Sequence, residues 1–333
     1  MALGVAGVRV GTWTSPERVS GCTVILPPSG TVGAVAVRGA SPGTREAAAL
    51  GRDGKVEVCH GVVLAGSSAY GLDAAHGAML WLEEQGIGYP VGPGVVPIVG
   101  GAIVLDAGVM APDQRPDAAA GRWACEHAAE EDPPEGGVGV GAGCTVAKVG
   151  GLDRGWRSGQ GIAVRSAAGV TVGVVLANNA VGEVVDDDGT WIVRARIPDD
   201  APRFPTDGSQ RPGGAGGPGG GGGSGGGGGS GPTQNTAIGC IVTNARLTKR
   251  DAHRVADLGH GGLARALRPA HTQFDGDALF CLATGEVAAS VDLVAHLAAE
   301  AVADATRRGP LAAVGVHGMP GLADVKGGAG RSG

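Results

Sequence analysis

A glycine tract constrains this 333-residue chain more than any other feature of its sequence. Residues 208–231 contain 16 glycines in 24 positions. A stretch without side chains buries nothing and loses much conformational entropy on ordering, so the tract predicts a flexible coil. We therefore expect residues 1–206 to form one part of a fold, 207–235 to form a flexible linker, and 236–333 to form the second part, with a loose tail over 327–333.

Composition excludes several other classes of protein. No G-x-y period runs through the chain, which excludes a collagen triple helix. With 43% hydrophobic and 17% charged residues, the chain can build a core. A net charge of −6 gives no electrostatic basis for binding nucleic acid. No apolar run approaches the ~18 residues of a membrane span, and the N-terminus lacks the basic and apolar regions of a signal peptide, so we expect a cytoplasmic protein without a membrane partner.

Apolar segments that alternate with amphipathic helices in the first part of the chain predict an α/β fold. Two helices are expected there, over 67–84 and 118–130. Strands or apolar runs are expected at 8–12, 23–26, 32–37, 58–65, 97–106, 162–165, 170–176 and 191–196.

The second part of the chain has clearer element boundaries. A strand over 237–242 precedes a helix whose capping box starts at Thr248, and a strand over 279–283 precedes a helix capped by Ser290. Three glycines within 259–262 predict a kink in the first of these helices, because glycine weakens a helix by about 1 kcal/mol relative to alanine.

Two glycine-containing motifs resemble functional sites but lack a required element. Residues 39–43 match the G-x-S-x-G nucleophile elbow, yet Pro42 follows Ser41 and has no backbone N–H for an oxyanion hole, so a tight turn is expected. Residues 137–143 lack the G-x-G-x-x-G spacing and favour close backbone packing over nucleotide binding.

The six cysteines form no C-x-x-C pair and predict reduced core thiols. We expect no metal and no cofactor.

Two charged features have more than one interpretation. Lys148 is a rare lysine among apolar and small residues; composition favours a surface side chain that buries its stem, and a functional cation is the alternative. Asp275 and Asp277 flank Gly276. In a strand their side chains would share one face, and around the glycine they would converge, whereas an ordinary Asp-Gly turn is the alternative.

Asn235 and Thr236 follow the glycine tract and open a predicted buried strand. Cleavage of the bond between them would place an α-amine and a hydroxyl on the same residue. The amine could then serve as the general base for the hydroxyl, so no separate histidine is required. This placement makes Thr236 a candidate N-terminal nucleophile.

The chain resembles the L-aminopeptidase/D-esterase (DmpA-like) family of self-cleaving hydrolases, which includes the β-peptidyl aminopeptidases and the nylon-oligomer hydrolase. The resemblance extends over nearly the whole chain except the glycine tract and the two termini. The segments that carry it are 22–27, 30–35, 38–46, 64–72, 139–151, 179–182, 235–245, 271–277 and 279–280.

The resemblance implies a precursor that cleaves itself between Asn235 and Thr236. It also implies a four-layer α/β/β/α sandwich, similar to ornithine acetyltransferase, in which the two products form one domain. The implied enzyme hydrolyses a small peptide, amide or oligoamide through an acyl-enzyme and assembles into a homo-oligomer. The alternatives are an acyltransferase on the same fold and a non-catalytic member that binds a small metabolite.

The resemblance also implies roles for particular residues. Thr236 Oγ would attack the carbonyl, and Asn179 would donate to the oxyanion, with the neighbouring Asn178 as the alternative in register. Lys148 would favour anionic groups or adjust the pKa of the amine.

The resemblance also bears on Asp275 and Asp277, and at Leu105 this chain differs from the family. Asp275 and Asp277 would orient the amine and hydroxyl and assist self-cleavage. Leu105 stands where the nylon-hydrolase branch has a tyrosine near the active site, so that hydroxyl is missing here.

Overall fold

The computed structural model describes residues 1–201, 203 and 235–328. The predicted linker over 207–235 lies outside the described residues except for Asn235. Of the predicted tail over 327–333, the first two residues belong to the last helix and the remainder lies outside the described residues.

The predicted alternation of strands and helices is present. The helices are α1 (Asp73–Glu84), α2 (Ala118–Glu126), α3 (Lys249–Ala266), α4 (Val291–Leu311) and α5 (Leu322–Gly328). The strands are β1 (Arg9–Thr14), β2 (Gly21–Leu26), β3 (Val32–Val37), β4 (Thr44–Arg45), β5 (Gly61–Ala65), β6 (Tyr89–Val91), β7 (Gly94–Val96), β8 (Val99–Ile103), β9 (Thr145–Val146), β10 (Trp156–Arg157), β11 (Gln160–Ala167), β12 (Val170–Asn179), β13 (Glu183–Val185), β14 (Trp191–Val193), β15 (Thr236–Ala245), β16 (Leu267–Arg268) and β17 (Ala278–Val287).

Two five-stranded sheets share one topology. The first has the strand order β1-β2-β5-β8-β4, and the second has the order β11-β12-β15-β17-β3. In each sheet the third and fourth strands are parallel and the other neighbours are antiparallel. Because a parallel pair needs a crossover, α1 connects β5 to β8 and α3 connects β15 to β17.

The alternation of side chains along the central strands builds three cores. Ile238, Cys240 and Val242 of β15 lie in the core between the sheets, whereas Ala237 and Ile241 face α3 and α4. Along β5, alternate residues likewise divide between the inter-sheet core and the core beneath α1 and α2. Strands buried on both faces and covered by helices produce the predicted α/β/β/α sandwich.

The predicted kink in α3 is wrong. The helix is continuous from Lys249 to Ala266 and starts with the predicted capping box at Thr248. Its glycines bring α3 close to its neighbours, since a Cβ at Gly262 would lie 2.3 Å from the carbonyl oxygen of Ala299 in α4. A Cβ at Gly259 would lie 2.8 Å from Ile241 of β15. Close packing, and not bending, accounts for these two glycines.

Two other predictions concern the core and the surface. All six cysteines are buried free thiols, as predicted. None of the helices in the described part of the chain combines the length and hydropathy that a membrane crossing requires.

Candidate active site

Thr236 lies at the first position of β15, in the centre of the second sheet. Its side chain shares a strand face with Ile238 and Cys240, and therefore points into the layer between the two sheets. Thr236 is 5% exposed and pairs across the sheet with Asn179, the last residue of β12. The register therefore brings together two residues that are 57 positions apart in the sequence (236 − 179).

The peptide group between Asn235 and Thr236 is buried and polarised. Thr236 Oγ1 donates to the carbonyl oxygen of Asn235 over 2.5 Å. The backbone N–H of Gly276 donates to the same oxygen over 3.2 Å and to Thr236 Oγ1 over 3.3 Å. The hydroxyl and a backbone donor thus converge on one carbonyl group.

The loop that contains Asp275 runs beside this peptide. Asp275 forms a parallel bridge with Asn235, and its Oδ2 accepts from the backbone N–H of Thr272 over 2.6 Å. Its Oδ1 is buried and has no hydrogen-bond partner in the described part of the chain. Burial, reinforced by the neighbouring Asp277, raises the pKa of Asp275. One carboxylate oxygen is therefore available beside the candidate cleavage site.

Asp277 faces the opposite side of the strand from Thr236. Its Oδ1 accepts from the backbone N–H of Ala237 over 2.6 Å, and its Oδ2 accepts from His271 Nδ1 over 2.7 Å. Burial lowers the pKa of His271, but the hydrogen bond to Asp277 and its charge outweigh that effect and leave the pKa raised. The Asp277 carboxylate therefore links His271 to Ala237, the residue that follows the candidate nucleophile Thr236.

His271 is a residue of the site that sequence reasoning missed. It belongs to the segment 271–277 but has no regular spacing to Asp277 that would indicate a contact. Its ring packs edge-to-face on His260 of α3, with 5.0 Å between ring centroids. His260 Nε2 in turn donates to the carbonyl oxygen of Ala36 over 3.1 Å.

Residues 39–43, which match the G-x-S-x-G pattern, hold the loop that contains Asp275 in place. Ser41 donates its backbone N–H to the carbonyl oxygen of Asp275 over 3.0 Å, and its hydroxyl to that of Gln273 over 3.1 Å. A Cβ at Gly39 would lie 2.3 Å from the carbonyl oxygen of Asp275. Ser41 is therefore part of a bend that positions Asp275, which agrees with the expected turn.

Lys148 is not the surface lysine that composition favours, because it is 1% exposed. Its Nζ donates to the carbonyl oxygen of Asn179 over 2.9 Å and to Asn179 Oδ1 over 3.3 Å. Burial lowers the pKa of Lys148 to about 7, although Cys144 and Asp275 act in the opposite direction. The surface interpretation of Lys148 is therefore wrong, and a functional role for this side chain stays a prediction.

The amide of Asn179 has a fixed orientation. Its Oδ1 accepts from the backbone N–H of Thr145 over 2.9 Å, and its Nδ2 donates to the carbonyl oxygen of Leu105 over 2.9 Å. Asn178 points to the other side of the sheet, where its Nδ2 donates to the carbonyl oxygen of Thr306 in α4 over 2.9 Å. The strand alternation therefore places Asn179, and not Asn178, on the face of Thr236.

A cavity of about 370 Å³ adjoins this cluster. Leu105, Thr145 and Lys148 line it, and all three contact Asn179. Leu105 contributes a hydrophobic side chain to the cavity and a carbonyl oxygen to Asn179, so it lies near the candidate site despite lacking a hydroxyl. Within residues 1–201, 203 and 235–328, no three His, Cys, Asp or Glu side chains are arranged to hold a metal ion.

Comparisons with known proteins agree with this architecture. The family model of Peptidase family S58 matches residues 3–323. The chain is 39% identical over 346 residues to an uncharacterised aminopeptidase of Mycobacterium bovis, with 96% of each protein covered. It is 32% identical over 285 residues to a 6-aminohexanoate-oligomer endohydrolase of Agromyces sp., with 84% of this chain and 74% of that protein covered.

Two solved structures share the fold. A beta-aminopeptidase of Burkholderia sp. matches with a TM-score of 0.69 and 19% identity, over 99% of this chain and 94% of its own. The L-aminopeptidase D-Ala-esterase/amidase of Ochrobactrum anthropi, described as a variant of the Ntn hydrolase fold, matches with a TM-score of 0.70 and 18% identity. That match covers 96% of this chain and 87% of the other. The predicted fold is confirmed.

The family match extends over both parts of the chain, on either side of the glycine tract. It confirms the predicted enzyme class, a hydrolase that acts on peptide or amide bonds. By its sequence and by the sandwich that this sequence forms, the chain belongs to Peptidase family S58.

Proposed function

We propose that the chain cleaves itself between Asn235 and Thr236 and then uses Thr236 as an N-terminal nucleophile on small peptides, amides or oligoamides. One observation carries the proposal: the Thr236 hydroxyl lies 2.5 Å from the carbonyl oxygen of Asn235, and the Gly276 N–H donates to both groups. An intramolecular acyl shift requires the hydroxyl oxygen beside the carbonyl carbon of the preceding residue, and this hydrogen bond keeps the two groups in contact.

In the self-cleavage step, Thr236 Oγ1 attacks the carbonyl carbon of Asn235. The carbon–nitrogen bond breaks, the hydroxyl proton is transferred to the leaving nitrogen, and an ester forms. Water then hydrolyses the ester and leaves a free α-amine on Thr236. The Gly276 N–H is positioned to stabilise the charge that develops on the carbonyl oxygen. Asp275, with one unpartnered oxygen, takes the hydroxyl proton and passes it to the leaving nitrogen.

In the processed enzyme, the α-amine of Thr236 takes the proton from its own hydroxyl as Oγ1 attacks the substrate carbonyl. The same proton passes to the leaving amine, and water hydrolyses the acyl-enzyme. Asn179 supplies the oxyanion donor, because the bonds from Thr145 and Lys148 to its Oδ1 and from its Nδ2 to Leu105 fix which end of the amide is the donor.

Lys148 and Asp277 prepare the nucleophile. Burial lowers the pKa of Lys148 to about 7, so about half of the molecules carry its positive charge at pH 7, and that charge favours the neutral, basic form of the Thr236 amine. Asp277 fixes the backbone of Ala237, and His271 orients Asp277 in turn. His271 is therefore a positioning residue.

Denaturing mass spectrometry of the purified protein tests self-cleavage. We expect fragments of residues 1–235 and 236–333 from the native chain, and one intact chain from Thr236→Ala. Thr243→Ala is the matched control, since Thr243 lies on the same strand and donates to the carbonyl oxygen of Thr171, away from the site. An intact native chain, or a Thr236→Ala chain cleaved at the same bond, would overturn the proposal.

Turnover assays separate hydrolysis from the alternatives. We expect release of a free acid from an aminoacyl amide or a nylon-type oligomer in water. Acyl transfer to an added amino acid in place of hydrolysis would indicate an acyltransferase, and a processed chain without turnover would indicate a binding protein. We further propose a homo-oligomer of processed units in the cytoplasm, which light scattering and cell fractionation test.

A further inference from the structure

The cavity beside Asn179 has walls that are mainly apolar. Val109, Met110, Leu152 and Met319 contribute to them. Its volume of about 370 Å³ lies within the usual range of ~300–1,000 Å³ for small-molecule pockets. A short hydrocarbon chain therefore fits the walls of this cavity.

Two buried cations interrupt the apolar lining. Lys148 lines the cavity and donates to the carbonyl oxygen of Asn179. Arg157 also lines the cavity, is 5% exposed, and donates one guanidinium N–H to the carbonyl oxygen of Ala142. Its Nε is buried and has no hydrogen-bond partner among the described residues. Arg157 therefore places a buried positive charge in an apolar wall, where an anionic group is favoured over a cationic one.

The acidic side chain in the lining does not offset these cations. Asp106 Oδ1 accepts from the backbone N–H groups of Ser67 over 2.9 Å and Gly108 over 3.0 Å, and Oδ2 accepts from Ser20 Oγ over 3.0 Å. Burial raises the pKa of Asp106 to about 7. Both carboxyl oxygens are already engaged by the wall, so Asp106 is a poor partner for a ligand ammonium group.

We propose that this cavity is a substrate subsite for an apolar chain that ends in a carboxylate, and that it disfavours a chain ending in a free ammonium group. The inference rests on the proposed function and narrows its substrate class. An aminopeptidase subsite must satisfy a free ammonium group, whereas this cavity presents Arg157 and Lys148 in an apolar wall. This subsite therefore prefers a segment that ends in a carboxylate over one that ends in a free ammonium group.

Calorimetric titration of the full chain with three six-carbon ligands tests the charge preference. Hexanoate, hexanamide and hexylamine share one apolar chain and differ in the charge of the head group at pH 7. We expect hexanoate to bind about tenfold more tightly than hexanamide and hexylamine to bind most weakly, as expected for a charge-assisted hydrogen bond in a desolvated site. Equal or tighter binding of hexylamine, or no binding of hexanoate, would overturn the subsite.

Three arginine variants assign the preference to this site. Arg157→Met keeps the apolar stem and is expected to remove the advantage of hexanoate over hexanamide, and Arg157→Lys is expected to keep part of it. Arg246→Met is the matched control, because Arg246 is exposed and contacts the carbonyl oxygen of Gly285. An unchanged advantage in Arg157→Met would refute the assignment. Binding requires no turnover, so failure to hydrolyse amides would affect only the proposed function.

Discussion

Replacing Lys148 by methionine is expected to make the protein more stable and less active. Lys148 is buried beside Asn179, and methionine has a similar length without a charge. The substitution removes the cost of burying an ammonium group and also removes the cation that prepares the candidate nucleophile. Stability and activity should therefore change in opposite directions.

The pKa of Lys148 provides the magnitude. It falls from its ordinary value of 10.5 to about 7, and a tenfold change in a protonation equilibrium corresponds to about 1.4 kcal/mol. The buried group therefore destabilises the folded chain by about 4 kcal/mol at pH 7. Loss of the hydrogen bonds to Asn179 offsets about 2 kcal/mol of this, since a hydrogen bond to a charged group contributes ~1.5–3 kcal/mol. The net expectation is a gain of about 2 kcal/mol.

The effect depends on pH in a defined direction. Between about pH 7 and 10.5 the unfolded chain binds more protons at Lys148 than the folded chain does, so the native protein gains stability as the pH rises. At pH 9 the cost of burial falls to about 2 kcal/mol, and the advantage of the methionine variant should disappear.

Urea unfolding of two single-chain proteins measures this difference. Both carry Thr236→Ala to prevent cleavage, and one also carries Lys148→Met; processing and turnover are measured separately with Thr236 present. Lys55→Met, at an exposed lysine, is the matched control and should change stability by less than about 0.5 kcal/mol. A less stable methionine variant at pH 7, or an advantage that does not shrink towards pH 9, would refute the reasoning.

Three further predictions concern the site and the packing around it. Asn179→Ala should lower kcat by about 100- to 1,000-fold in a steady-state assay. Asn178→Ala should preserve turnover and lower the free energy of unfolding by about 1 kcal/mol. Equal effects of the two variants on kcat would contradict the assignment of the oxyanion donor. The pKa of His271 is raised, so its pair with Asp277 stabilises the fold fully below pH 6.5 and less as the pH rises through the folded pKa. In urea unfolding, His271→Gln should therefore lose more stability at pH 6 than at pH 8.5. A loss that is the same at both pH values would exclude the pair. Gly262→Ala should destabilise the protein by about 1–3 kcal/mol in thermal unfolding, whereas Gly261→Ala, with open space at its Cβ, should stabilise it slightly; similar shifts would refute the close packing of α3 on α4.

Local patterns predicted the elements of the fold well. The capping box at Thr248 starts α3, and the apolar run over 237–242 forms the middle of β15. Helix propensity predicts a kink at the glycines of α3 because it considers the helix alone, whereas the helix is continuous. Their role depends on Ala299 and Ile241, which reach them only in the folded protein.

The contacts of the candidate site could not be predicted from local patterns. The strand register pairs Asn179 with Thr236, and only that register places Lys148 in the same cluster. The composition of residues 145–150 favoured a surface lysine, because spacing along the chain contains no information about which buried carbonyl group will accept from it. His271 was missed for the same reason.

The strand order of the second sheet has a consequence for the enzyme after it is cut. β15 and β17 would belong to one product, yet they lie between β12 on one side and β3 on the other, both from the other product. Two rows of backbone hydrogen bonds therefore hold the shorter polypeptide between strands of the longer one. Separation of the two polypeptides would require the sheet to come apart, so dilution should not dissociate them, and the cut protein should unfold as one cooperative unit.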